Sequence, residues 1–325
     1  MGVLTRLAGA VVVAGLAAGA AHALESDGFW AWGRPLEDSS EAINARVNAD
    51  LRAVADEANE ATPGKLDCTT LERRFMRRMR FPSFQTVEVW AMGSPLVDRT
   101  PATNQEEERY RKEWLFAATI PGDVVRWMPP SPIISIGGVR LGTDKLGHFF
   151  SEGILLHSRF EARREKGDTV EQAEANALKW SVLTERTFLG LSTSGVFSRG
   201  DLEANHEGMR FYNQLCDVDD PMLRLVGGAW TLTRPFDIRD YVTPEWDETW
   251  QSPIFGAMRW PRIKRRLETY CPLLADPAVR AQRAAYAARD TETRTERLVA
   301  EIVAQGKLAE PGQFSLEHVC AEAGP

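Results

Sequence analysis

The sequence predicts a mainly α-helical protein that folds as a single domain, with a short β-hairpin near residues 133–141 and a long C-terminal helix over 277–305. Apolar residues recur at helical spacing in most segments, and capping residues precede several of those segments. About 300 residues remain after a cleavable leader, which is enough for one large core. We therefore expect one helical unit over 24–325, with no internal repeat or low-complexity linker.

Residues 1–23 have the pattern of a secretory signal peptide. Arg6 gives a positive start, residues 7–20 are uniformly apolar, and Ala21-His22-Ala23 is a small-x-small cleavage site. The apolar run is about 14 residues long, shorter than the ~20 that a membrane-spanning helix needs. The sequence therefore favours cleavage over a retained anchor, and it predicts an exported periplasmic protein that is soluble after cleavage.

Charge and cysteine content limit the partners and the compartment. The net charge is −7, and the densest basic run, over 73–80, alternates with apolar residues as an amphipathic helix does. Together with export, this argues against a nucleic-acid partner. The four cysteines are Cys68, Cys216, Cys271 and Cys320. An even number in an exported chain predicts two disulfides, whose pairing the sequence leaves open. A metal site of four thiolates is the alternative, but the spacings lack the close pairs that such sites use.

Caps and breakers set the expected elements. The hairpin is indicated by two β-rich runs around Gly137-Gly138, and Thr169 with Gln172 forms a capping box. A Trp-rich segment over 236–262 should be an ordered strap. The predicted helices before the C-terminal one cover 40–61, 68–79, 104–118, 143–165, 169–188 and 198–215.

The helix over 143–165 carries the first candidate site residues. Its apolar positions, from Leu146 to Phe160, form one face at helical spacing. Asp144, His148 and Glu152 lie on the opposite face, one turn apart. A solvated surface is the simpler interpretation of that face, and Asp144 also suits the positive end of the helix dipole.

The next two helices add carboxylates in unusual places. Glu185 lies within an apolar stripe, where a charge is costly unless it is paired or protonated. It must therefore find a partner or have a raised pKa; a structural ion pair is the alternative to a working site. Asp201 and Asn205 share one face of the helix over 198–215, although Asp201 could serve only as a cap. Gly208 continues that face and permits close helix packing.

These residues occur in an order that resembles the VanZ-like proteins and the small YfiM-like envelope proteins. The resemblance covers residues 144–208. It implies that the three helices pack together with their polar positions converging. VanZ-like proteins cross the membrane several times and are linked to glycopeptide tolerance, whereas these helices carry charges such as Arg163 and Arg164. The matching positions are Asp144, Lys145, His148, Phe149, Glu185, Ser198, Asp201, Asn205 and Gly208.

Two functional hypotheses follow. The chain is predicted to be an exported bacterial envelope protein of unassigned activity, with a polar site on three packed helices that would serve cell-wall or lipid-linked precursor metabolism. The alternative is a metal-dependent or carboxylate-based hydrolase of the periplasm; Zn, Mn and Fe suit His and carboxylate ligands. The non-enzymatic form has a polar core network and an envelope protein partner bound by the Trp-rich segment. The candidate residues are Glu185, His148 and Asp201 for catalysis, Lys145, Arg199, Asn205, Asp144 and Ser198 for ligand binding, and His148, Glu152 and Glu185 for a divalent metal.

Overall fold

A computed structural model describes residues 25–79, 87–117, 129–187, 190–192, 195–216, 219–289 and 291–323. The predicted signal peptide over 1–23 lies outside the described residues. Helices dominate the described part of the chain, which confirms the mainly α class. The α-helices are α1 Ser40–Ala61, α2 Cys68–Met79, α3 Val87–Gly93, α4 Asn104–Glu113, α5 Asp144–Gly147, α6 Gly153–Arg164, α7 Val170–Arg186, α8 Arg199–Leu215, α9 Trp260–Leu267, α10 Pro277–Ala287, α11 Arg294–Ala304 and α12 Leu316–Ala323.

The strands form three small antiparallel pairs. β1 (Ile133–Ile136) and β2 (Val139–Gly142) are the predicted hairpin. Gly137 and Gly138 have φ of 56° and 78°, in the left-handed region that favours glycine in such turns. β3 (Val196–Phe197), just before α8, pairs with β6 (Ile254–Phe255) in the Trp-rich segment. β4 (Leu223–Val226) pairs with β5 (Ala229–Leu232).

The central helices follow the sequence pattern closely. α1 and α2 have the predicted bounds, and the Thr169–Gln172 capping box opens α7. The helix expected over 143–165 is continuous from α5 to α6, but its residues His148–Glu152 form one π-helical turn. Such turns widen a helix locally and are frequent at functional sites.

The long C-terminal helix predicted over 277–305 is divided into α10 and α11. Thr293 caps α11 through a full capping box with Glu296, so a second helix begins where the prediction had continuous helix. The spacing of apolar and charged residues alone did not indicate that a second helix begins within this segment.

Two disulfides and two aromatic-rich cores hold the helices. Cys68 pairs with Cys216 and Cys271 with Cys320, which resolves the predicted pairing. Aromatic rings of the π-helical turn, of α8 and of the Trp-rich segment contact each other. The ring centroids of Phe211 and Phe236, for example, lie 5.0 Å apart. The Trp-rich segment is therefore an ordered strap over the central helices, as expected. Among the described residues, no helix is both long and apolar enough to cross a bilayer.

Gly208 allows α8 to touch the π-helical turn and α6. A Cβ at this position would lie 2.1 Å from the carbonyl oxygen of Phe149 and 3.0 Å from the Cα of Gly153. We therefore expect Gly208→Ala to lower the free energy of unfolding by about 3 kcal/mol, at the upper end for an overpacked core. Urea denaturation measures this. Gly93→Ala is the matched control because nothing lies within 4 Å of its new Cβ; equal losses in both variants would contradict the close packing.

Candidate functional site

The centre of the predicted site is the side chain of Lys145, which is completely buried. Its Nζ lies 2.7 Å from Asp144 Oδ2, 2.6 Å from Asp201 Oδ1 and 3.0 Å from Glu248 Oε1. The contacts with Asp144 and Glu248 are hydrogen bonds, and the contact with Asp201 is an ion pair. A lysine ammonium has three N–H donors, so each of the three surrounding carboxylates can face one of them.

Two glycines make room for this arrangement. The Lys145 side chain passes over Gly200. A Cβ on Gly200 would lie 3.1 Å from Cε of Lys145. A Cβ on Gly142 would lie 2.0 Å from Asp144 Oδ1 and 2.4 Å from the Cβ of Ser26. The segment that begins at Glu25 can therefore approach the cluster closely.

His148 lies at the margin of the cluster, on the π-helical turn. Its Nε2 is 3.3 Å from Asp201 Oδ2, and its Nδ1 is 3.1 Å from Asn205 Oδ1. Asn205 donates through its amide nitrogen to Ser181 Oγ at 3.4 Å, which orients its oxygen toward the imidazole. Both ring nitrogens thus face oxygen acceptors. The His148 side chain is 19% exposed, against 3% for Asp201, so it connects the cluster to solvent.

Ser198 links the cluster to the start of α8. Its Oγ accepts the backbone N–H of Asp201 at 3.0 Å, as an N-cap does, and donates to Glu248 Oε1. Its own backbone N–H donates to Glu185 Oε1 at 3.0 Å. Ser198 is therefore the cap, and the Asp201 side chain is left to pair with Lys145 and His148.

Burial and repulsion among the carboxyl groups shift their pKa values. Burial raises the pKa of Glu248 to about 7, against the lowering effect of Lys145. Burial, with the Asp201 charge, raises the pKa of Glu185 well above its usual range. Asp201 is the exception: burial opposes its ionisation, but His148 and Lys145 together hold its pKa below the usual value. The sequence predicted that Glu185 would have either a charged partner or a raised pKa, and it has the raised pKa.

The cluster contains more acids than bases. Five carboxyl groups, those of Glu25, Asp144, Glu185, Asp201 and Glu248, act electrostatically on one another or on Lys145. Burial is the largest cause that raises the pKa of Glu25, followed by the charges of Asp201 and Glu248. Carboxylates in this number can only remain buried if some are protonated or further cations are bound.

Most of the predicted site residues meet here, and two do not join the contacts around Lys145. Arg199 pairs instead with Glu296 of α11, at 3.4 Å. Glu152 is buried at the far end of the π-helical turn. The residues that the structure brings together are Asp144, Lys145, His148, Glu185, Ser198, Asp201 and Asn205.

Sequence reasoning missed two members of the cluster, Glu25 and Glu248. Glu248 follows Trp246, which is fully buried, within the Trp-rich strap. A carboxylate between tryptophans in an ordered segment is the signal that could have indicated it. Glu25 follows the predicted signal cleavage site by two residues, where no periodic pattern distinguishes it.

Metal binding was predicted for His148, Glu152 and Glu185. In the described part of the chain, two other groups offer three ligand atoms within 4.8 Å of one another: Glu25 with Asp201 and Glu248, and a second group on the other face of α8. In the first group, the Lys145 ammonium already contacts Asp201 and Glu248. We therefore interpret Glu25, Asp201 and Glu248 as carboxyl groups that surround the Lys145 ammonium rather than a metal ion.

Space at the cluster is small. A crevice lined by Ser26, Glu248 and Phe255, among others, has a volume of about 10 Å³. This is about the volume needed for a single water molecule. His148, with a side chain 19% exposed, is more accessible than Asp201, which is 3% exposed.

Comparisons with protein-family models, with curated proteins and with solved structures found no match for this chain.

Proposed function

We propose that this chain is an exported cell-envelope hydrolase whose working site is the Lys145 cluster, with His148 as the group that meets the substrate. The observation that carries the proposal is the continuous line of contacts from a buried carboxyl group to solvent. It runs from Glu248 through Lys145 and Asp201 to the partly exposed imidazole of His148. A structural ion pair would need neither the surplus carboxyl groups nor the exposed end.

The side chains along this line of contacts suit general acid–base catalysis. Asp201 and Asn205 hold the imidazole between two acceptors, so His148 can carry a proton on both nitrogens. It would release one of these contacts and donate that proton to the leaving oxygen as the glycosidic or phosphate ester bond breaks. The oxygen of a water molecule would form the new bond to carbon or phosphorus, and the proton that this water loses would return to the imidazole. His148 and Lys145 together lower the pKa of Asp201 and so favour its ionised form. Glu248, with a pKa of about 7, would hold an exchangeable proton at neutral pH.

The proposed substrate is a cell-wall or lipid-linked precursor, cleaved at a glycosidic or phosphate ester bond. The residue order over 144–208 that resembles VanZ-like and YfiM-like envelope proteins supports this choice. Two disulfides support export into an oxidising compartment such as the periplasm. The signal peptide predicted over 1–23 fits the same location.

Replacing His148 by Ala should abolish turnover with little effect on folding. General acid–base groups contribute about 10²–10⁴-fold to rate, so we expect at least a 10²-fold loss in kcat/KM. The assay incubates the purified chain with peptidoglycan and with a polyprenyl-diphosphate-linked sugar, and products are separated by chromatography and mass spectrometry. Because the side chain is at the margin of the cluster, the melting temperature should move by no more than about 2 °C.

His318→Ala is the matched control, since His318 is 46% exposed on α12 and pairs with Glu322. It should retain the wild-type rate. Absence of any product from the wild-type chain, or equal rates in the two His variants, would overturn the proposal.

A second candidate function is favoured by the enclosure of the cluster. Lys145 is fully buried and the neighbouring crevice has room for about one water molecule. A polar network of this kind can fix how helices pack, leaving the Trp-rich strap to bind an envelope protein partner. In that case Glu185→Gln would reduce function only as far as it reduces the melting temperature.

A further inference from the structure

A second buried cluster lies on the opposite face of α8 from Asp201 and Asn205. Its members are Glu203, His206 and Glu207, whose positions on the helix lie more than a quarter turn from that face. All three residues are buried, and each offers a ligand atom within 4.8 Å of the others. The acid–base line proposed above uses none of them.

The orientation of His206 is fixed by a carboxylate from a neighbouring helix. Its Nε2 lies 2.7 Å from Glu174 Oε1 on α7, and Glu174 is paired in turn with Arg294 of α11. An imidazole that donates one N–H to a carboxylate presents the lone pair of its other nitrogen. This is the usual support of a metal-bound histidine.

The other nitrogen of His206 points into the cluster. Its Nδ1 is buried and makes no hydrogen bond, although the His206 side chain is only 6% exposed. Glu207 Oε1 lies 3.6 Å from this nitrogen, beyond hydrogen-bond distance. A buried polar nitrogen without a partner is costly, and it therefore points to a ligand between these side chains.

Both glutamates are held with one oxygen engaged elsewhere. Glu203 Oε2 accepts a hydrogen bond from Thr295 of α11, and Glu207 Oε2 accepts one from Arg210. Outer contacts of this kind orient metal-bound carboxylates. They also tie the cluster to α11, so an ion here would link α7, α8 and α11.

We propose that Glu203, His206 and Glu207 bind one divalent transition-metal ion, through His206 Nδ1 and one oxygen of each glutamate. Imidazole with carboxylates suits Zn²⁺, Mn²⁺ and Fe²⁺ rather than Ca²⁺ or Mg²⁺, which prefer oxygen ligands alone. Ligands on one Zn²⁺ stand roughly 3.4 Å apart, so the side chains must close slightly around the ion.

Zinc is the probe. The purified chain, with its disulfides intact, is stripped with a chelator, dialysed and titrated with Zn²⁺, and the bound metal is quantified by mass spectrometry. We expect one equivalent per chain and a melting temperature raised by about 5 °C at a hundredfold excess over Kd. His206→Ala and Glu203→Gln should each lose the equivalent, or weaken Kd at least 10-fold. Glu203→Gln keeps the side-chain shape and serves if His206→Ala fails to fold.

His318→Ala tests for an adventitious site, because His318 and Glu322 form an exposed pair one helical turn apart. His148→Ala tests the Lys145 cluster in the same way. Both should keep the full equivalent of zinc. The inference is overturned if the wild-type chain binds no zinc, if folded Glu203→Gln binds it with unchanged Kd, or if the zinc is lost in either control.

Discussion

Replacing Lys145 by Met should lower the free energy of unfolding by about 3–5 kcal/mol at pH 7.5, as expected when one partner of a buried ion pair is removed. The ammonium is completely buried and contacts three carboxylates within 3.0 Å. Methionine fills similar space but leaves those charges without a counterion. Urea denaturation at pH 7.5 and at pH 5.0 measures the loss.

The loss should shrink as the pH falls. Without the ammonium, burial and mutual repulsion disfavour the ionised carboxylates in the folded chain. Protonation at low pH then relieves the repulsion in the folded chain. Lys179→Met is the matched control, since Lys179 is exposed on α7, and it should change stability by less than about 0.5 kcal/mol. An equal effect in both variants would mean that Lys145 does not hold the carboxylates together.

Glu248→Gln should flatten the pH dependence of stability between about pH 4.5 and pH 7. Burial raises the pKa of Glu248 from 4.5 to about 7 in the folded chain. In this window the unfolded chain is ionised at this residue while the folded chain keeps its proton. The folded state is therefore favoured at low pH, and this contribution is lost as the pH rises to 7. One pKa unit corresponds to about 1.4 kcal/mol, so the loss is about 3 kcal/mol.

The wild-type chain should therefore lose about 3 kcal/mol more than Glu248→Gln when the pH is raised from 4.5 to 7.5, in urea titrations at each pH. Glutamine stays neutral and still accepts hydrogen bonds, so the contacts to Lys145 and Ser198 can persist. Glu301→Gln, an exposed change on α11, should follow the wild-type curve. Parallel curves for all three chains would show that Glu248 titrates as an ordinary surface acid.

Periodicity and caps were sufficient to predict most of the central fold. α1 and α2 have the predicted bounds, and α7 begins at the predicted Thr169–Gln172 capping box, because such a cap satisfies backbone groups in the first turn of the helix. His157, on the apolar face of α6, is buried and contacts Glu72 and Asn213. Glu185, a carboxylate in an apolar stripe, was expected to have either a partner or a raised pKa, and burial raises its pKa.

Long-range contacts explain what the sequence left out. Glu248 reaches Lys145 across 103 residues, because the strap places it there through the pairing of β6 with β3. The π-helical turn at His148–Glu152 has no local sequence signal. The break between α10 and α11 depends on Thr293, whose capping role competes with an otherwise continuous helical pattern.

The central claim is that buried carboxyl groups converge on Lys145, away from water. Carbon-13 NMR of the glutamate side chains tests it directly, with the Glu248 resonance assigned by its disappearance in Glu248→Gln. The account predicts that this carboxyl group titrates near pH 7 and that its midpoint rises further in Lys145→Met. A midpoint near the ordinary value of 4.5, unaffected by loss of the ammonium, would contradict it.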